Sequence, residues 1–91
     1  MKFSGHEIPG SLFKAARDRM LAPDAGPNFT PGAIRQYLLS QCRSDLAAIS
    51  SIEVNQAIIA DRVFQEARRQ LLSTGEVMQI RRGVWAPVFK R

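Results

Sequence analysis

Arg62, Gln65, Arg69 and Ser73 recur at spacings of three and four residues, and Arg81 and Arg82 follow as an adjacent pair. Such spacings put side chains on one stripe of a helix, which turns by roughly 100° per residue. A guanidinium presents a planar fork of donors, an amide a donor beside an acceptor, and a hydroxyl both. A row of this kind suits binding to planar polar edges and anionic oxygens, and it holds no nucleophile paired with a base. Val63, Phe64, Ala67 and Leu71 are interleaved with the row and fall on the opposite stripe. One face of the segment is therefore built to pack and the other to bind.

The charge of the chain points to the same region. The formal net charge is +5, and the residues from 61 onward hold seven bases (Arg62, Arg68, Arg69, Arg81, Arg82, Lys90, Arg91) against Asp61, Glu66 and Glu76. Residues 1–60 are nearly balanced, with six bases and five acids. An excess gathered in one third of a chain favours an anionic partner: nucleic acid first, an acidic protein or membrane surface second. Catalysis has little to draw on. His6 is the single histidine and Cys42 the single cysteine, so no zinc constellation can form from them, and the glycines make no phosphate loop. We expect no enzyme, no metal and no cofactor.

Ninety-one residues suit one folding unit. No apolar run approaches the roughly 20 residues that cross a bilayer, and "MKFSGHEIPG" lacks the apolar core of a secretory signal. A soluble, cytoplasmic protein is expected, with the lone Cys42 packed as an apolar residue on a helical stripe. Residues 1–29 read as a helix followed by a linker, and residues 30–91 as the main domain. Leu12, Phe13, Ala16 and Met20 recur at helical spacing; "SGHE" is a possible capping box and Pro9-Gly10 an alternative entry nearer Ser11. "APDAGPNFTPG" then interrupts any helix with its prolines and glycines.

The next helix is signalled by Thr30 as N-cap, Pro31 at the first helical position and Phe29 placed to staple onto Ile34, with a stripe of Ile34, Tyr37, Leu38 and Cys42. "RSDLAAIS" fits either a short strand or a helical turn. Ser50-x-x-Glu53 resembles a capping box and opens a short helix through Val54, Ala57 and Ile58; Asp61 then caps a longer one running to about Thr74, stopped by Gly75. Beyond it "EVMQIRRGVWAPV" alternates like a hairpin with Arg82-Gly83 at the bend, Pro87 at an edge or past the pairing, and Trp85 sealing the core.

From residue 30 to 88 this order resembles the winged helix-turn-helix family: "TPGAIRQYLLSQ" as first core helix, "SSIEVNQAII" as second, "DRVFQEARRQLLSTGEV" as third and "VMQIRRGVWAPV" as the wing. The resemblance implies a mainly α fold with a small β-hairpin, preceded by an extra N-terminal helix. It also implies that the third helix enters the major groove of double-stranded DNA while the wing reaches a neighbouring groove or phosphate. The side-chain chemistry agrees, since arginine forks to guanine and glutamine to adenine. Arg62, Gln65, Arg69 and Ser73 are the expected groove-facing residues, with Arg81 and Arg82 at phosphate or in the minor groove. Glu66 is the departure, an acid on the reading side. A small transcriptional regulator of prokaryotic, phage or plasmid type would fit; the alternative is a winged-helix protein-interaction module that never touches DNA. The stripe Leu12, Phe13, Ala16 and Met20 is expected to be buried against its own subunit or across a homodimer.

Overall fold

Thr30 closes the first turn of a helix, accepting a hydrogen bond from the Ala33 N–H at 3.3 Å, and Pro31 occupies a position where no N–H is needed. The computed structural model describes residues 2–3, 6–21 and 28–88. Its elements run β1 (Lys2–Phe3), β2 (His6–Glu7), α1 (Gly10–Leu21), α2 (Pro31–Gln41), α3 (Arg43–Ile49), α4 (Glu53–Ser73), β3 (Val77–Arg81) and β4 (Val84–Pro87). The fold is mainly helical, and the helices are followed by an antiparallel hairpin in the place of a wing.

The central element differs from the sequence reading. The short helix expected from Ser50 and the longer one expected from Asp61 are a single 21-residue helix, α4. Nothing between Ile58 and Val63 is a glycine or proline, and the buried stripe passes straight through: Ile59, Ala60, Val63, Phe64, Ala67, Leu71. Asp61 is therefore no cap. It sits mid-helix and meets Arg35 of α2 at 3.4 Å. The ambiguous "RSDLAAIS" is the helix α3, anchored by the fully buried Leu46. Ser50 belongs to the turn between α3 and α4. Its hydroxyl accepts from the Ile52 N–H and from the Asn55 amide, both at 3.2 Å, while Gln56 donates to its carbonyl at 2.8 Å. The capping box is absent because the helix begins at Glu53, one position after Ile52, so Glu53 is not three residues inside it. At the start of the chain, His6 and Glu7 pair with Phe3 and Lys2 in a short strand ladder, which removes "SGHE" as a helix cap; α1 begins at Gly10.

α4 is the spine on which the rest packs. Leu12, Ala16 and Met20 of α1, Ile34 and Leu38 of α2 and Leu46 of α3 join its buried stripe in one apolar cluster, each at most 2 % exposed. Fully burying a leucine- or phenylalanine-sized side chain contributes about 1.5–3 kcal/mol, so this cluster dominates the stabilisation. The cluster crosses residue 30 without a break. The stripe of α1 is covered within one chain, with Phe13 partly buried at its edge. Residues 22–27 of the Pro/Gly segment lie outside the described residues; Phe29, further along that segment, is buried and meets Phe64 edge to face at 6.5 Å.

The end of α4 follows its residues closely. Gly75 takes φ 76°, a left-handed conformation that costs glycine least, and donates to the Leu72 carbonyl while Glu76 donates to that of Leu71. This double bond pattern is a Schellman stop. It turns the chain into β3, whose partner β4 is also joined to Phe29: the Trp85 N–H donates to the Phe29 carbonyl at 2.9 Å and the Phe29 N–H to that of Trp85 at 2.7 Å. Gly83, at φ 77°, makes the hairpin bend. Pro87 ends β4 opposite Val77. Cys42 is buried between α2 and α3, and burial, then the nearby Asp45 charge, pushes its thiol above the ordinary value. No helix among the described residues is long and apolar enough to cross a membrane.

Candidate nucleic-acid interface

With Val63, Phe64, Ala67 and Leu71 turned into the core, helical geometry leaves Arg62, Gln65, Arg69 and Ser73 on the solvent side, and all four are exposed. Arg62, Gln65 and Arg69 are brought together: with Glu66, Arg68 and Leu72 they line a shallow, open groove of about 370 Å³ along α4. Ser73, the residue after Leu72, does not line the groove, and its hydroxyl donates to the Gln70 carbonyl at 2.8 Å. Arg81 and Arg82 are exposed at the bend of the hairpin, outside the groove, and form no ion pair among the described residues.

The charge on this face is lower than the residue count implies. Arg69 is held by Glu66 through Nε at 3.1 Å and Nη2 at 2.6 Å, a forked pair between neighbouring turns. The hydrogen bond from Arg69, with its charge, lowers the Glu66 carboxyl below its ordinary value and raises the guanidinium. Glu66 therefore stays ionised, and Arg69 must share or leave it before it can fork to a base. Asp61, the other acid of the segment, is matched by Arg35 from α2.

Arg68 has a role that spacing did not reveal. Its guanidinium lies 4.6 Å over the Trp85 ring and 5.2 Å over that of Phe64. A half-buried cation between two aromatic faces is attracted by both ring quadrupoles. It ties the hairpin to α4, and it takes Arg68 out of the set of cations turned to solvent. Trp85 does seal the core beside Phe29, with its indole Nε1 buried and without a partner. Tyr37, expected in the core, is half-buried against it, and Arg19 lies 5.0 Å over its ring.

The turn from α3 into α4 carries different chemistry. Helix-turn-helix proteins contact bases with the first residues of the second helix of the motif. Here that end shows Ile52, Val54 and Ile58, exposed by 58 %, 68 % and 40 %, beside Glu53, while the Asn55 and Gln56 amides brace the turn. Arg43 of α3 lines an open groove at this turn with Glu53 and Gln56, while Arg62 and Arg69 lie further along α4 and Arg81 and Arg82 at the hairpin bend. Among the described residues no cluster of three histidine, cysteine or acidic side chains could hold a metal ion. Comparison of the chain with family models, with curated proteins and with solved structures finds no match.

Proposed function

We propose that the protein binds double-stranded DNA through the exposed face of α4 and the tip of the hairpin, as a small transcriptional regulator with some sequence preference. The observation that carries this reading is the exposed row Arg62, Gln65 and Arg69, backed by a buried stripe, together with Arg81 and Arg82 at the bend, which form no ion pair among the described residues. Among the described residues Arg81 and Arg82 have no acid to leave, and they are suited to phosphate contact. Gln65 and Arg69 have the donor and acceptor edges that discriminate bases, and Glu66 can accept from a cytosine amino group once Arg69 turns to its own base. A titration of mixed-sequence duplex at rising salt tests the reading. If Arg81 and Arg82 each neutralise one phosphate, log affinity falls with log salt at a slope of about −1.8, steeper with each further contact. Absence of binding to any duplex at low salt overturns it.

A second reading, a protein-interaction module, is favoured by the exposed Ile52, Val54 and Ile58 beside Glu53, where a groove-reading helix would carry polar donors. That reading requires a complex that tolerates salt and survives nuclease, which a pull-down with and without nuclease detects.

A further inference from the structure

The tip of the hairpin carries an apolar residue that neither the core nor the strand pairing accounts for. Gln79 faces Trp85 and Arg81 faces Val84. Trp85 and Val84 are adjacent, so Ile80 is an extra residue with no partner on β4. A bulge of this kind bends its strand and re-aims a side chain. Ile80 is 52 % exposed, and residues 79–83 around it are all exposed. Arg81 and Arg82 follow it directly and form no ion pair among the described residues.

Arg68 fixes where this tip stands relative to α4, because it lines the groove of the helix and stacks on Trp85 of β4. The hairpin is therefore beside the row Arg62, Gln65 and Arg69, and one extended ligand can meet both. A ligand for the tip has to offer anionic groups on either side of an apolar interior. Stacked bases between two phosphate backbones have that form. A bilayer of anionic lipid offers the same two chemistries, but it makes no use of the amide edge of Gln65 and sets headgroup phosphates against Glu66, which lines the same groove.

We propose that Ile80 is a wedge that enters the minor groove and parts one base step, bending the duplex, while Arg81 and Arg82 hold the phosphates that border the groove. The proposal rests on the DNA-binding reading and adds to it a deformation of the DNA. Neighbouring strands of a ribbon lie about 4.7–4.9 Å apart before their side chains are counted, and the minor groove is only about 6 Å wide. The hairpin fits only where the groove is opened. Insertion of an apolar side chain between stacked bases opens it and kinks the duplex by about 20–90° toward the major groove. Pyrimidine–purine steps unstack most easily, so a sequence preference arises at a step where no donor or acceptor is read.

Ligase-catalysed ring closure of a linear duplex of about 150 base pairs, one persistence length, tests the proposal because so short a rod closes rarely unless it is bent. The whole chain is added at saturation, and its binding to the same duplex is followed separately by anisotropy at rising salt. The expected result is a yield of circles raised at least about tenfold by the protein. Ile80→Ser is expected to bind with the same salt slope, which shows the tip intact, and to leave the yield at that of bare DNA. Ile80→Leu, which keeps the apolar wedge, is expected to restore it. Binding without added ring closure, or ring closure unchanged by Ile80→Ser, overturns the wedge and leaves the DNA-binding reading in place. Binding to vesicles of phosphatidylserine and phosphatidylcholine but to no duplex overturns both and assigns the tip to lipid; binding to neither overturns both as well.

Discussion

Replacing Arg68 by methionine tests how the hairpin is attached to the helix. Methionine keeps much of the stem that lies along the core and removes the planar cation. The guanidinium is 4.6 Å from the Trp85 ring and 5.2 Å from that of Phe64, and the residue is half-buried. A cation–aromatic contact contributes about 0.5–1 kcal/mol in the open and about 2 kcal/mol when desolvated. An intermediate site with two rings thus corresponds to a loss of about 1–2 kcal/mol. For a domain of this size each kcal/mol moves the melting temperature by roughly 4–8 °C. The attribution to the ring is made by a double-mutant cycle with Trp85→Leu, followed by urea denaturation and circular dichroism, because the only tryptophan is absent from half of the cycle. A coupling of about 1 kcal/mol is expected between the two positions. If Arg68→Met costs the same with Trp85 present or absent, within the roughly 0.3–0.5 kcal/mol of ordinary additivity, the stacking argument is refuted and Arg68 contributes only its stem.

Gly75→Ala is expected to destabilise by about 1 kcal/mol in chemical denaturation, from backbone strain at φ 76° alone, since a Cβ there would meet nothing within 4 Å; Gly75→Asn should cost less, and equal costs would count against the left-handed stop. The Cys42 thiol, raised by burial, should react with a disulfide reagent at pH 8 only as fast as the chain opens. Because the folded value lies above the unfolded one, its contribution to stability is complete below the unfolded value near 9 and is lost as pH rises through the folded value; a Cys42→Ala variant should lack that alkaline decline. Arg82→Ala should weaken binding to all duplexes alike and reduce the salt slope by about one, measured by anisotropy. Arg69→Ala should cost roughly ten- to hundredfold at a preferred site and less on random duplex; equal losses on both would mean that Arg69 only supplies charge.

Local chemistry made much of the fold legible in the sequence. Thr30-Pro31, Gly75 and Gly83 each need a particular backbone shape, and each is where that shape occurs. The exposed polar face of α4 was also readable, because helical spacing alone separates Arg62, Gln65 and Arg69 from Val63, Phe64 and Ala67. Asp61 carries the side chain of a helix cap, but a cap forms only where the backbone leaves the helix, and between Glu53 and Ser73 nothing makes it leave; Ser50 does lie at a helix boundary, but α4 starts too late for Glu53 to close a box with it. The Glu66–Arg69 fork was foreseeable from a spacing of three. The stack of Arg68 on Trp85 was not, since it depends on how the hairpin folds back.

The joining of Phe29 to Trp85, and of Arg17 on α1 to Gln70 on α4 at 3.0 Å, sets an order for events during synthesis. α1 and α2 leave the ribosome with Leu12, Met20, Ile34 and Leu38 facing water, and their main cover is α4, which is followed by the strand that Phe29 requires. Contacts so far apart in the chain delay closure of the core until β4 has been made. The interval before the last strand arrives is when the nascent protein is most open to chaperones, proteases and its own neighbours. Substitutions in the hairpin that slow docking are therefore expected to lower yield in cells by more than their effect on the melting temperature predicts.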